Sequence, residues 1–224
     1  MTIKVKLLAC ISLLTAAIVA ITGFGFYALR VEAEIANSIV VDRVVPMEQL
    51  KRIGDGYAVD IVDTAHKVRA GALSPEDGLA NVDRALSSIE GHWNEYISTK
   101  LTDEEKKLAD HFAEIKLQAN EGVDELKQIL AAGDLSALAT FADTKLYPTI
   151  DPLGTDIAQL VDLQIAVAKQ DLVDGNVLTG LLMTVMTTLS VLGAGVAAFS
   201  IWTVLRGVIR PVNSIATAMS DLAG

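Results

Sequence analysis

The chain has 224 residues, with 18 Lys and Arg against 28 Asp and Glu, a formal net charge of −10. That acidic balance excludes nucleic-acid binding, which needs a basic face to release counterions. A single Cys excludes a disulfide framework and paired-cysteine metal or haem sites, and three scattered His without a His-Glu-x-x-His pattern leave no zinc signature. A mean hydropathy of +0.42 is high for a water-soluble domain and points to membrane segments.

In chain order, Lys4 and Lys6 precede Leu7–Leu29, a stretch of 23 residues without a charge. About 20 apolar residues cross a bilayer as a helix, so residues 7–29 are predicted as a first transmembrane helix behind a cytoplasmic N-terminus at 1–6. The alternative is a cleaved signal peptide. Against it, the run is long for a signal core, has no Ala-x-Ala end, and flows into a helical pattern. Gly175–Leu205 is a second uncharged stretch, of 31 residues, and residues 177–205 are predicted as a second transmembrane helix. Lys4 and Lys6 lie before the first span, and Arg206 and Arg210 follow the second, so both ends read as cytoplasmic. Residues 30–176 then lie outside. Within 31–176 there are 13 Lys and Arg against 27 Asp and Glu, a net of −14, so the mild overall charge averages two unlike regions. Phe24, Phe26, Tyr27 and Trp202 fit interfacial aromatic belts. Gly193, Ala194, Gly195, Ala197 and Ala198 would permit close helix packing, or are ordinary transmembrane composition.

Between the spans, capping signals divide the chain into four helices, 31–71, 75–99, 103–132 and 134–176. Gly71 suits a helix C-terminus. Ser74-Pro75-Glu76-Asp77 supplies an N-cap, a Pro at the first helical position and acids in the first turn. Thr102-Asp103-Glu104-Glu105 is a capping box, and Gly133-Asp134 ends one helix and caps the next. The first helix carries Leu50, Ile53, Tyr57, Ile61, Ala65 and Val68. The second spaces Leu79, Val82, Leu86, Ile89, Trp93 and Tyr96 by threes and fours. The third offers Leu108, Phe112, Ile115, Ala119, Gly122, Leu126 and Ile129, and the fourth Leu146, Ile150, Leu153, Ile157 and Leu160. Narrow seams of this kind predict an all-α, up-down four-helix bundle anchored between two transmembrane helices. The outer helices, about 60 Å each at 1.5 Å per residue, join the spans and form rods suited to transmitting motion. Pro46 predicts a kink in the first helix or a break into a shorter one. Pro148 and Pro152 predict a bend in the fourth, and Gly54 and Gly56 soften the first.

After the second span, Pro211 can open a helix, and Val212, Ile215, Met219 and Leu222 recur at 3, 4, 3. A stub of about 14 residues is marginal alone in water and needs a partner helix. The residues Ile209-Arg210-Pro211-Val212 and Leu222-Ala223-Gly224 resemble the first helix of a HAMP linker. The bundle is similar to the ligand-binding domain of methyl-accepting chemotaxis proteins. That likeness rests on Asp42-Arg43-Val44-Val45-Pro46-Met47-Glu48-Gln49-Leu50, on Leu146-Tyr147-Pro148 and on Leu160-Val161-Asp162-Leu163-Gln164. With the two spans, the resemblance covers nearly the whole chain. It implies a dimeric, two-pass receptor of the bacterial inner membrane with a periplasmic sensor domain at 30–176. Residues 206–224 then begin a truncated HAMP linker, with the output region beyond Gly224.

The resemblance also implies a small-molecule site near the distal end of the bundle, between the first and fourth helices. Residues 57–70 are expected beside roughly 135–149. That brings Tyr57, His66 and Arg69 near Thr140, Thr144, Lys145 and Thr149, with Arg84 approaching from the second helix. Arg offers bidentate carboxylate recognition and Thr neutral hydrogen bonds. The bland reading keeps Arg69 and Lys67 solvated and paired with neighbours such as Asp63. The arginine cluster of amino-acid-sensing receptors is not reproduced, so amino-acid specificity does not carry over. Asp55, Asp60, Asp63 and Asp156 would suit a cation but lack any calcium-loop spacing, so no metal or cofactor is expected. His66, His92 and His111 read as ordinary polar helix residues, and Pro211 as a signal relay. No catalytic constellation emerges, so no enzyme is expected. The expected partners are a small-molecule ligand or a ligand-loaded periplasmic binding protein, a second copy, the membrane, and a cytoplasmic kinase with its adaptor. The same input half would also suit a sensor histidine kinase or cyclic-dinucleotide enzyme, and a ligand-free structural membrane bundle is the third possibility.

Overall fold

A computed structural model describes residues 3–210; residues 1–2 and 211–224 lie outside the described residues, and with them Pro211 and the 212–222 seam. The elements are α1 (Ile3–Ile39), a π-turn (Val40–Val44), α2 (Val45–Asp55), a second π-turn (Gly56–Ile61), α3 (Val62–Arg69), α4 (Pro75–Ile97), α5 (Asp103–Ala132), α6 (Leu135–Thr144), α7 (Leu146–Val204) and a third π-turn (Leu205–Ile209). No strand occurs among the described residues. The chain divides into two compact units. One is the bundle, Asn37–Leu172, and the other holds the apolar flanks, through Ala36 and from Val173.

The bundle has four legs. The first runs from Asn37 to Arg69, the second is α4, the third α5, and the fourth runs through α6 and α7 to Leu172. The turns are as the capping signals predict. Gly71, at φ 72°, closes the first leg: its N–H donates to Val68 O at 3.0 Å and that of Ala72 to Lys67 O at 2.9 Å. This paired bonding satisfies two orphan carbonyls and needs the left-handed backbone glycine allows. Gly133 repeats it at φ 66°, with Gly133 N to Leu130 O and Asp134 N to Ile129 O. Ser74 caps α4 by accepting from Asp77 N, and Thr102 and Glu105 form a complete capping box at α5. Successive legs therefore pack antiparallel around one core containing Leu50, Ile53, Tyr57, Val82, Ile89, Phe112, Leu126, Leu153 and Leu160.

Three local expectations are corrected. Pro46 neither breaks nor ends the first leg, because helix runs without interruption from Lys4 to Arg69. Pro46 has no N–H to give the fourth carbonyl back, and its ring crowds it. The π-turn at Val40–Val44 relaxes that stretch, where Val45 N donates to Val40 O. The fourth leg does not run whole over 134–176: Lys145, at φ −119°, separates α6 from α7. Pro148 favours the break there, since it has no N–H for the Thr144 carbonyl and its ring crowds that group, although Pro152 sits inside α7 without ending it. Third, the buried seam of α5 is Glu105, Ala109, Phe112, Lys116, Ala119, Val123, Leu126 and Leu130. Leu108, Ile115 and Ile129 flank that seam, partly buried against the core. Phe112, Ala119 and Leu126 of the expected seam are buried; hydropathy missed Glu105 and Lys116, which are buried with partners. Lys116 pairs with Glu90 and stands 5.7 Å from the centre of the Trp93 ring.

In the flanking unit, parts of α1 and α7 run antiparallel, in contact at glycines. A Cβ on Gly175 would stand 2.8 Å from Ile35 Cγ2, and one on Gly193 2.9 Å from Ile21 Cδ1. The missing side chains let the helices approach. Both helices are long and apolar enough to cross a bilayer. Thr184, Thr187, Thr188, Ser190 and Thr203 each donate to the carbonyl four residues back, which satisfies the hydroxyls within their own helix.

Candidate ligand-binding site

The anticipated site residues divide into three places. At the outer surface between first and fourth legs, Arg69 Nη1 donates to Asp143 Oδ1 at 2.7 Å, and Arg69 Nη2 lies 3.4 Å from Oδ2. One turn away, His66 Nε2 and Tyr147 Oη are 3.2 Å apart, with ring centres 6.0 Å apart. These contacts join the two legs near the tip. Arg69 is thus paired, as the bland reading holds, but with Asp143 rather than with Asp63, which takes Lys67.

The register is about one and a half turns from the expected one. Tyr57 lies beside Ile150–Ile157, not beside 140–149. Tyr57 is 1% exposed and donates to Asn120 Oδ1 at 2.6 Å. Burial, with Glu90 nearby, pushes its hydroxyl well above the ordinary tyrosine range. It anchors the core and does not join His66 and Arg69. A shallow hollow of about 310 Å³ opens beside it, lined by Gly54, Ala58, Leu153, Gly154 and Thr155.

The remaining residues face elsewhere. Lys145 donates to both oxygens of Glu125 on the third leg, at 2.7 and 2.9 Å. Thr149 packs against Gly122. Thr140 and Thr144 return their hydroxyls to Ser136 O and Thr140 O. Arg84 lies in a groove of about 430 Å³ between first and second legs, with Asp60, Asp63, Lys67, Asn81 and Ser88. It donates to Asn81 Oδ1 at 2.9 Å. No group of three or more metal-type ligands occurs among the described residues.

A buried polar cluster was missed. At the end of the bundle opposite the Gly71 and Gly133 turns, Glu105 is fully buried. Its Oε2 accepts from Thr102 N at 2.9 Å and from Arg43 Nη1 at 3.4 Å; its Oε1 accepts from Tyr96 Oη at 3.5 Å and closely from Gln164 Nε2. Arg43 Nε donates at 3.0 Å to Asp171 Oδ2. Tyr96 is pushed up by burial and by the Glu105 charge. The available signal was Glu105 in the capping box, which marks a helix start but says nothing of three further donors.

Residues 1–168 match the family described as "Tar ligand binding domain homologue". The chain belongs to this family. It is also 34% identical, over 99% of its length, to the methyl-accepting chemotaxis protein NahY of Pseudomonas putida, and spans about 41% of that relative's length. No solved structure matches. The helical bundle and the two apolar helices accord with this membership, which assigns no role to any of the side chains above.

Proposed function

We propose that the chain is the input half of a two-pass transmembrane chemoreceptor. The observation that carries this is the likeness to a methyl-accepting chemotaxis protein over nearly all 224 residues, in a chain whose first 168 match a ligand-binding family. Residues 1–6 would be cytoplasmic, 7–29 and 177–205 the spans, 30–176 the periplasmic sensor, and 206–224 the start of a HAMP linker. The orientation is supported by Lys4, Lys6, Arg206 and Arg210 at one side and a net of −14 over 31–176 at the other.

A homodimer is supported by exposed apolar side chains on the first and fourth legs. Val41, Val44, Val45, Ile165 and Leu172 are 38–49% exposed, and an apolar face of this kind favours a second copy. The ligand, small and either free or delivered by a binding protein, would engage His66 and Arg69 near the tip. Arg69 and Asp143 offer it a guanidinium and a carboxylate that already face each other, and His66 and Tyr147 add neutral hydrogen bonds. Binding biases two packings only through differential affinity for them. Output passes through the second span to HAMP, and from there to a cytoplasmic kinase and adaptor.

The test is a thermal-shift screen of the purified full chain in nanodiscs against a library of small metabolites. A ligand that raises the midpoint by several degrees, with the rise lost in Arg69→Ala, supports the reading. An unchanged rise in Arg69→Ala removes the tip from the site.

A further inference from the structure

The buried cluster around Glu105 touches every leg of the bundle. Arg43 comes from the first leg, Tyr96 from the second, Glu105 from the third, and Gln164 and Asp171 from the fourth. It stands where the chain enters and leaves the bundle: the unit begins at Asn37 and ends at Leu172. Buried ionic groups are expensive and contribute little net stability compared with apolar packing. An apolar seam would have closed this end of the core, as Ile53 and Leu126 close its middle.

The cluster is unequal by construction. Glu105 is fully buried and holds four donors. The Asp171 side chain is 42% exposed and holds Arg43 through one bond. If the first and fourth legs separate, the Glu105 contacts resist, because each leaves an uncompensated buried group. The Asp171 contact yields, because water receives its carboxylate. Arg43 also lies inside the π-turn Val40–Val44, a local departure from regular helix of a kind frequent at functional sites.

We propose that Arg43 and Asp171 form a releasable latch between the first and fourth legs, hinged on the fixed Arg43–Glu105 pair. Closed, Arg43 bridges Glu105 and Asp171 and ties the two legs that continue into the apolar helices. Open, Arg43 keeps Glu105 and Asp171 turns to water, so the stretch of the fourth leg beyond Gln164, which Glu105 still holds, is no longer tied to the first leg. Its use in signalling rests on the receptor reading, while the latch itself is a property of the bundle and is tested without ligand.

The experiment places spin labels at Ile97→Cys on the second leg and Leu172→Cys on the fourth, both exposed in the single chain, in the full chain carrying Cys10→Ala in nanodiscs, diluted with excess unlabelled chain so that only distances within one copy are read. Double electron–electron resonance reads the distance. The latched chain gives one distance. Asp171→Asn adds a second, resolved distance without loss of helical signal, and Asp171→Glu returns the single one. A distribution in Asp171→Asn that superposes on the unsubstituted one overturns the latch. So does the same second distance in Lys127→Gln, which breaks the Lys127–Asp83 pair on another face and reports general loosening. Global unfolding of Asp171→Asn overturns it as well, since the residue would then be a structural support.

Discussion

Glu105→Ala removes one carboxylate and unpairs four donors. Arg43 is 7% exposed and keeps only Asp171. Breaking a buried pair by deleting one partner costs about 3–5 kcal/mol. Losing the capping-box return to Thr102 N adds about 1 kcal/mol, and Gln164 Nε2 and Tyr96 Oη each lose a partner worth about 1 kcal/mol. These terms are not additive, because water enters the vacated space and serves several of the donors. The expected net loss is about 4 kcal/mol, a large part of the roughly 5–15 kcal/mol that holds a domain together. Urea unfolding of residues 30–176 measures it. Trp93 gives a local probe, its ring centre 4.8 Å from that of Phe112 and 5.6 Å from that of Tyr96. Arg43→Met with Glu105→Gln removes both charges together and recovers more than half of the loss. A loss under about 1 kcal/mol in Glu105→Ala would refute the reasoning, since such a carboxylate is solvated rather than buried.

Gly122→Ala puts a Cβ 2.6 Å from Thr149 Cγ2 and 2.9 Å from its Oγ1; overpacking costs about 1–3 kcal/mol. The same change with Thr149→Ala becomes neutral or stabilising by about 1 kcal/mol, the helix preference of Ala over Gly, as denaturant midpoints would record. Tyr57 and Tyr96 stay protonated in the fold above the ordinary tyrosine value of about 10. The unfolded chain then releases protons first, so stability holds below about pH 10 and falls as pH rises through the folded values. Circular dichroism during alkaline titration should lose helix together with late tyrosinate absorbance, and tyrosinate from all tyrosines before any loss of helix would contradict it. Ser98→Cys in a Cys10→Ala background, exposed at the turn after the second leg, should react with a membrane-impermeant maleimide in intact cells. Labelling only after lysis would reverse the orientation.

The capping residues carried most of the fold. Ser74, Thr102, Asp134, Gly71 and Gly133 mark ends that backbone chemistry alone imposes, and the third helix appears over the expected residues. The apolar spacing of the first and fourth legs was equally legible, since Leu50 through Val68 and Leu146 through Leu160 are all buried. The third-leg seam was legible in part: Phe112, Ala119 and Leu126 are buried, but hydropathy ranks Glu105 and Lys116 as surface residues. Their burial depends on Arg43 and Gln164 for Glu105, and on Glu90 and Trp93 for Lys116, partners 23 to 62 residues away in sequence. The candidate site was half legible. Opposite positions on antiparallel legs bring Arg69 and His66 to the fourth leg. Lys145 and Thr149 instead reach Glu125 and Gly122 on the third leg, beyond a break at Lys145 that no spacing rule places to the residue.

The central claim is that this chain converts binding of a small molecule into a signal across a membrane. Joining it in frame, at the HAMP start, to the signalling half of a methyl-accepting chemotaxis protein of known output tests that claim most directly. The account predicts a swimming response to the compound that stabilises the chain in the thermal-shift screen, weakened or lost with Arg69→Ala at equal membrane abundance. A hybrid that reaches the membrane, keeps basal kinase control and ignores that compound would contradict it.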